Sequence, residues 1–432
     1  MHKKLKWILV MTLGVLNSLV LSLSASASPH FPAGANQVEI PDQPGVRKEL
    51  LANIAPLVQH SIAEGYYPGA VILAAHKGNI IYKGVFGSSR VEPNQAPMQF
   101  ETIFDIASLT KVIVTTTAIM QLMEAGKLDL DARVAEYWPA FAQSGKGAVT
   151  IRELLTHTSG FAPDLDPWKP PTDAAARYKT GLTQVETATL VAAPGKVFTY
   201  SDINFITLGH LVEIISGQPL ADYAKQHIFQ PLNLSTMTFN PPSSLREQIA
   251  PTSSPEDQQM RWGTVNDPTT ERMGGVSGVA GLFSNAHDLG IFLQCLLNGG
   301  RIDAQYYLLG PLTVLKMSTP QTPLGMLETR GLGWDIDSVF ASRGVLLSNR
   351  SYGHTGWTGV SVWLDPATQT WVMILTSRSH PTLPQKNQLI RDRRAIADII
   401  AGSLTDVAVT GISNTSEGEL HSAYTKFAKP TQ

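Results

Sequence analysis

The stretch Phe104-Asp105-Ile106-Ala107-Ser108-Leu109-Thr110-Lys111-Val112-Ile113-Val114 decides how this chain is read. From Ile106 to Met123 the single charged side chain is Lys111. A run that apolar belongs in an interior, and burying an ammonium is costly unless it has partners or sheds its proton. Residues three apart on a helix share a face, with Cβ atoms roughly 5–6 Å apart, so the Lys111 amine reaches the Ser108 hydroxyl. A desolvated lysine can serve as a base. A serine in the first turn also sets its own N–H at the positive end of the helix dipole, where an oxyanion can be held. The competing reading is a capping serine followed by a snorkelling lysine, and Ser-x-x-Lys is frequent by chance. Val112 to Thr117 is β-branched and locally favours a strand. The apolar run is nevertheless too long for one ordinary strand, and Glu124-Ala125-Gly126-Lys127 resembles a helix end. The expectation is a helix from about Ser108 to Glu124.

Two further motifs give that pair a context. Tyr200-Ser201-Asp202 precedes Ile203, Ile206, Leu211, Ile214 and Ile215, a helical spacing closed by Gly217. Locally, Ser201 or Asp202 is expected to cap this helix, with Tyr200 packed beside it. The functional alternative is that Tyr200, held at the loop-to-helix junction, relays a proton between the serine and a leaving group. His354-Thr355-Gly356 opens a hairpin in which Val360, Val362 and Leu364 lead to a turn at 365–368, and Trp371, Met373 and Leu375 return. Gly356 permits a close approach to the strand, and the N–H of Trp357 is then a candidate second oxyanion donor. Taken alone, His354 reads equally as a satisfied core or surface histidine. A serine with a lysine one turn on, a tyrosine and an H-T-G strand are together the parts of an acylating serine hydrolase.

The order and surroundings of these motifs resemble the serine β-lactamase and penicillin-binding-protein superfamily. The similarity is nearest to its class C β-lactamase-related branch, which includes D,D-carboxypeptidases, D-aminopeptidases, family VIII-type esterases and penicillin-binding protein 4B-like proteins. Residues 104–111 resemble the nucleophile segment, and Leu154-Leu155-Thr156-His157-Thr158-Ser159-Gly160 is a hallmark of the family. Residues 194–209, 229–234, 274–284 and 353–359 also match, collinearly over roughly residues 45 to 403. The resemblance implies that Ser108 is the nucleophile, Lys111 its base partner, Tyr200 the second proton-transfer residue and His354 a catalytic replacement for the lysine of K-T-G. It implies an oxyanion hole from the N–H groups of Ser108 and Trp357, with Asp202, Thr355 and Gly356 contacting substrate. Asp202 departs from the common asparagine. An asparagine donates to a substrate amide oxygen, whereas an ionised aspartate only accepts and favours a charged Lys111 if the two are close.

Composition narrows the remaining possibilities. The chain has 432 residues, a formal charge of −2, one cysteine and no basic run. A nucleic-acid partner is not expected, and Cys295, set in an apolar segment, reads as a buried thiol. No C-x-x-C or H-E-x-x-H spacing implies a metal, and no cofactor is expected. His2 to Lys6 is basic, Trp7 to Leu23 apolar, and Ala25-Ser26-Ala27 an A-x-A site. The expected organisation is a signal peptide at 1–27, cleaved near Ala27, and a leader at 28–44. The hydrolase domain follows at 45–403, then a polar tail at 404–432. Secretion with no stable membrane anchor after cleavage follows from that organisation, and an uncleaved anchor is the alternative, since the apolar region is near the lower limit for a span.

Val46 to Glu64 reads as an amphipathic helix, Gly69 to His76 and Ile80 to Gly87 as a hairpin, and Leu389 to Ile400 as a C-terminal helix. The fold class expected is α/β (α+β): a central antiparallel sheet covered by terminal helices, plus a mostly helical lobe at about 104–234. The first functional expectation is D,D-carboxypeptidase or D-amino-acid amidase chemistry on cell-wall peptides, with a small peptide, amide or ester substrate and peptidoglycan as its source. A carboxylesterase of the same fold is the second, and a non-catalytic penicillin- or peptide-binding protein the third. A β-lactamase role is least favoured, because His354 replaces lysine and no residue identifies a deacylating water.

Overall fold

Gly69–His76 reads GAVILAAH and is buried at every position, as a strand in a sheet interior must be. It turns through Lys77 and Gly78, both at positive φ (50° and 81°), into the longer strand Asn79–Arg90. That double positive φ matches the twist of a tight hairpin. On its other side Gly69–His76 pairs antiparallel with Thr370–Leu375, from the far end of the chain. The sheet continues through Ser361–Asp365, Tyr352–Thr355, Asp335–Asp337 and Thr329–Arg330. The computed structural model describes residues 36–254, 256–383 and 386–407. The expected signal peptide and most of the expected tail lie outside them.

Both faces of the sheet are covered. Val71, Leu73, Val362, Leu364 and Met373 face a core shared with the helical lobe. Ala70, Ile72, Trp363, Val372 and Ile374 face a second core built with Leu51, Ile54, Val58, Ile396 and Ile400 from the terminal helices. This is the α/β (α+β) arrangement expected, with Lys386–Ser403 as the C-terminal helix. No helix among the described residues is long and apolar enough to cross a membrane.

The structure differs from the sequence reading in four places. The helix expected over Val46 to Glu64 is two pieces, Lys48–Leu51 and Ile54–Ala63. Gln37–Glu39, read as leader, is an edge strand against Asn79–Arg90. At the other end, Leu404 bridges to Val46, and Asp406 pairs with Lys77 and His76 at 2.6 and 2.8 Å. Residues 404–407 are thereby fastened to the sheet, although they read as tail. Finally, the helix after Ser108 begins as a wide π-helical run, Lys111–Thr116, and becomes α-helical at Thr117–Glu124. All six residues of the π run are buried, so packing overrides their β-branched preference. Such wide turns occur preferentially at functional sites.

Candidate active site

Ser108 is placed by the two residues before it. Phe104–Asp105 pairs with Leu282–Ser284, and Ile106 N–H donates to Leu282 O. The buried Asp105 carboxylate then accepts from Ala107 N at 2.8 Å and from Asn266 N at 2.6 Å. Burial pushes this carboxyl up to about 6, opposed by those two N–H groups. Ala107 is held in the left-handed region at φ 45°, which turns the chain into the helix and leaves Ser108 beside a cavity.

The hairpin of His354 is lashed to this same segment. Thr358 Oγ1 donates to Asp105 O at 2.8 Å. A Cβ on Gly356 would meet Val360 Cγ2 at 2.5 Å and Ile106 O at 2.8 Å, so glycine is needed for the close approach.

Lys111 Nζ donates to Ser108 Oγ at 2.9 Å and to Val279 O at 3.4 Å. Its side chain has no exposed surface. Asp202 Oδ1 lies 2.8 Å from the same nitrogen, but without hydrogen-bond alignment, so this contact is an ion pair. The Lys111 ammonium also sits 5.0 Å from the centroid of the Tyr200 ring. Burial alone would drive the proton off. Asp202, and then Tyr200, outweigh it and raise the affinity of Lys111 for its proton. Asp202 is thus close enough to favour the charged form of Lys111, the circumstance that the sequence left to distance, and Lys111 Nζ donates to Ser108 Oγ.

The expected helix cap is also corrected. The helix is Asp202–Ser216, closed by Gly217 at φ 73°. Ser201 stands at its N-cap, yet its hydroxyl donates to Ala162 O at 2.6 Å, and Asp202 turns to Lys111.

His354 is 3% exposed. Its Nδ1 lies 2.8 Å from Thr355 O, and a carbonyl only accepts, so Nδ1 carries the proton. Burial, followed by the nearby Arg330 and Lys111 charges, holds the ring well below the usual histidine range. Its Nε2 is a buried lone pair with no partner among the described residues. The Tyr200 and His354 rings are 6.0 Å apart.

The structure thus brings Ser108, Lys111, Tyr200, Asp202 and His354 together, with Thr355, Gly356 and Trp357 on the cavity wall. The cavity is about 340 Å³. A larger one of about 510 Å³, bordered by Lys225, Phe229 and Asn233, contains no comparable serine–lysine contact.

Three residues that organise the site were not picked out from the sequence. Asp105 lay within the quoted nucleophile stretch. His157 lay within the 154–160 block: its ring packs 4.4 Å from that of Tyr200, and its Nδ1 accepts from Ser201 N–H at 3.1 Å. Arg330, fully buried, borders the cavity and lies 5.7 Å from the Tyr200 ring. Its sequence signal was weak, a lone arginine between Glu328 and Gly331-Leu332-Gly333-Trp334.

The family model described as Beta-lactamase matches residues 54–395. A protein of Escherichia coli K12 named "Putative D-alanyl-D-alanine carboxypeptidase" is 32% identical over 412 residues, covering 87% of this chain and 93% of that protein. Among solved structures, a penicillin-binding protein homologue from Caulobacter crescentus superposes with a TM-score of 0.65 at 20% identity. It covers 84% of this chain and 100% of its own. EstCE1, described as a hydrolase with promiscuous acyltransferase activity, superposes with a TM-score of 0.65 at 23% identity, over 81% and 99% of the two chains.

Proposed function

We propose that this chain, which belongs to the beta-lactamase family of serine hydrolases, forms an acyl-enzyme on Ser108 and performs D,D-carboxypeptidase or D-amino-acid amidase-type chemistry on cell-wall peptides. The observation that carries this reading is the 2.9 Å hydrogen bond from a buried, charged Lys111 to Ser108 Oγ at the edge of the cavity. The name of the Escherichia coli relative supports the peptide substrate class.

The steps follow from the charges. The Tyr200 hydroxyl relays the Ser108 proton toward the leaving group as Oγ bonds to the substrate carbonyl carbon. The carbonyl electron pair moves to oxygen, where the N–H groups of Ser108 and Trp357 receive it. Tyr200 then gives the proton to the leaving amine as the C–N bond breaks, and water repeats the sequence to release the acid. Lys111 stays protonated throughout and stabilises whatever negative charge resides on Ser108 or Tyr200. Incubation with a fluorescent penicillin and with p-nitrophenyl esters, followed by intact-mass analysis, tests the reading. A mass increase mapping to Ser108 is expected, and no adduct with any probe would overturn it.

Asp202 favours carboxylesterase activity as a second reading. It cannot donate to a substrate amide oxygen, and an ester needs no such donor. Asp202→Asn is expected to raise the ratio of penicillin acylation to ester hydrolysis by about tenfold, the worth of one hydrogen bond to a neutral group. An unchanged ratio would show that residue 202 plays no part in this choice.

The proposed location is outside the cytoplasm, on the strength of the basic and apolar leader and its A-x-A site. N-terminal sequencing of exported protein is expected to read from Ser28, and a start at Met1 in a membrane fraction would overturn soluble export.

A further inference from the structure

The segment between strands Asp335–Asp337 and Tyr352–Thr355 is neither helix nor strand, yet it is held at both ends. Ser338 N–H and Oγ donate to the Asp335 carboxylate at 3.1 and 2.7 Å, and Phe340 N–H donates to Ser338 Oγ at 3.2 Å. From the C-terminal helix, the Asp398 carboxylate accepts from Val345 N–H and Leu346 N–H at 2.7 and 2.9 Å, and Arg394 Nη2 donates to Ala341 O at 3.3 Å. What this frame presents is apolar and open. Val339 is 73% exposed, Phe340 47%, Val345 84% and Leu346 57%. Exposed apolar side chains grouped in this way mark binding surfaces. Val339 and Phe340 border the Ser108 cavity, together with Leu389 and Ile390 from the C-terminal helix. The Phe340 ring lies 5.2 Å from that of Tyr200.

We propose that Phe340, with Val339 beside it, is a specificity-determining residue that receives a bulky apolar side chain on the leaving group of the substrate. The proposal deepens the acyl-transfer reading and rests on it for which half of the substrate meets this wall. The leaving atom takes its proton from Tyr200, so it comes within about 2.6–3.2 Å of that hydroxyl. A side chain on the carbon next to the leaving atom then lies beside the aromatic pair Tyr200 and Phe340. For a peptide, that side chain belongs to the C-terminal residue. Ser108 Oγ bonds to the carbonyl carbon of the preceding residue, the C–N bond breaks, and the C-terminal residue departs as a free amine carrying the serine proton. Valine and phenylalanine offer neither donor nor acceptor, so apolar cover is the recognition they give. An alanine methyl leaves most of this wall against water, whereas a leucine or phenylalanine side chain removes it from water.

The test compares N-acetyl-D-alanyl-D-alanine with the same peptide ending in D-phenylalanine or in D-glutamine, by the D-residue released. The kcat/KM for the D-phenylalanine peptide is expected to exceed that for the D-alanine peptide by about ten- to a hundredfold, as burial of an apolar side chain gives. The D-glutamine peptide, long but polar, should gain nothing. Phe340→Ala should bring the D-phenylalanine to D-alanine ratio down to about one, and Phe340→Leu should keep most of it. The N-acetyl-D-alanyl esters of D-lactate and D-phenyllactate should repeat this order if the protein prefers esters. If Phe340→Ala does not fold, Phe340→Gln, which keeps length without an apolar face, takes its place. A D-phenylalanine peptide handled no better than the D-alanine one, or a preference that survives loss of the Phe340 ring, would overturn the proposal. Calorimetry on Ser108→Ala protein with the same peptides reads the preference without turnover. Tighter binding of the D-phenylalanine peptide there, lost in Ser108→Ala with Phe340→Ala, but no hydrolysis by the wild type, would sink the acyl-transfer reading and leave the wall assigned.

Discussion

Ser108→Ala protein is expected to give no covalent adduct with a fluorescent penicillin or a p-nitrophenyl ester, and to lose about 10⁴- to 10⁶-fold in hydrolysis, as nucleophile removal does in other serine hydrolases. The fold should survive. Only one hydroxyl is lost, and the Lys111 ammonium that donated to it keeps its ion pair with Asp202 and its contact to Val279 O. Intact mass and a thermal melt on the same sample check both halves. Labelling at the wild-type rate, or labelling that maps to another serine, would remove Ser108 from the chemistry.

Lys111→Met has the second largest expected effect, and its two halves have different causes. Acylation should fall by about two to four orders of magnitude, the usual worth of a group that positions or stabilises a moving proton. Stability should fall as well. A buried lysine considered alone would be better replaced by methionine, because burial of an ammonium is costly. Lys111 is not alone: removing it leaves the Asp202 carboxylate beside an apolar stem. Breaking a buried pair costs roughly 3–5 kcal/mol, and the lower end applies here because Asp202 keeps 21% of its side-chain surface exposed. The double variant Lys111→Met with Asp202→Asn should recover much of that stability and none of the acylation. Denaturant melts and acylation rates on the wild type, the two single variants and the double variant form the cycle. Normal acylation in Lys111→Met would dismiss the lysine from the mechanism. A double variant no more stable than the single would mean that Asp202 is not its structural partner.

What the sequence revealed of this site was the part carried by short, locally recognisable patterns. A lone charge in an apolar run marks Lys111, and three residues of separation tie it to Ser108. Gly217 closes the helix after Tyr200, and a glycine after His354-Thr355 points to a close approach. The paired strands from both chain ends were legible because they alternate or are continuously apolar between turn residues. Asp105, His157 and Arg330 were not legible as organisers of the site. Asp105 and His157 act through partners far away in sequence, Asn266 and Ser201. Arg330 sits in a two-residue strand, too short for any periodicity to register. Whether Asp202 reaches Lys111 depended on a distance that residue types left open, and the two lie 2.8 Å apart.

The lashing of the Ser108 segment to the His354 hairpin, through Thr358 and the bare Cα of Gly356, separates two kinds of inheritance. The serine segment and the hairpin are joined directly, while the outer cavity wall reaches the hairpin through Arg378, which donates to Trp357 O, and Arg393, which donates to Val360 O. That wall is made by Val339 and Phe340 from the segment between two strands and by Leu389 and Ile390 from the C-terminal helix, and none of these side chains carries reactive chemistry. Drift or recombination in these stretches can exchange one substrate outline for another while the reactive block passes unchanged between descendants.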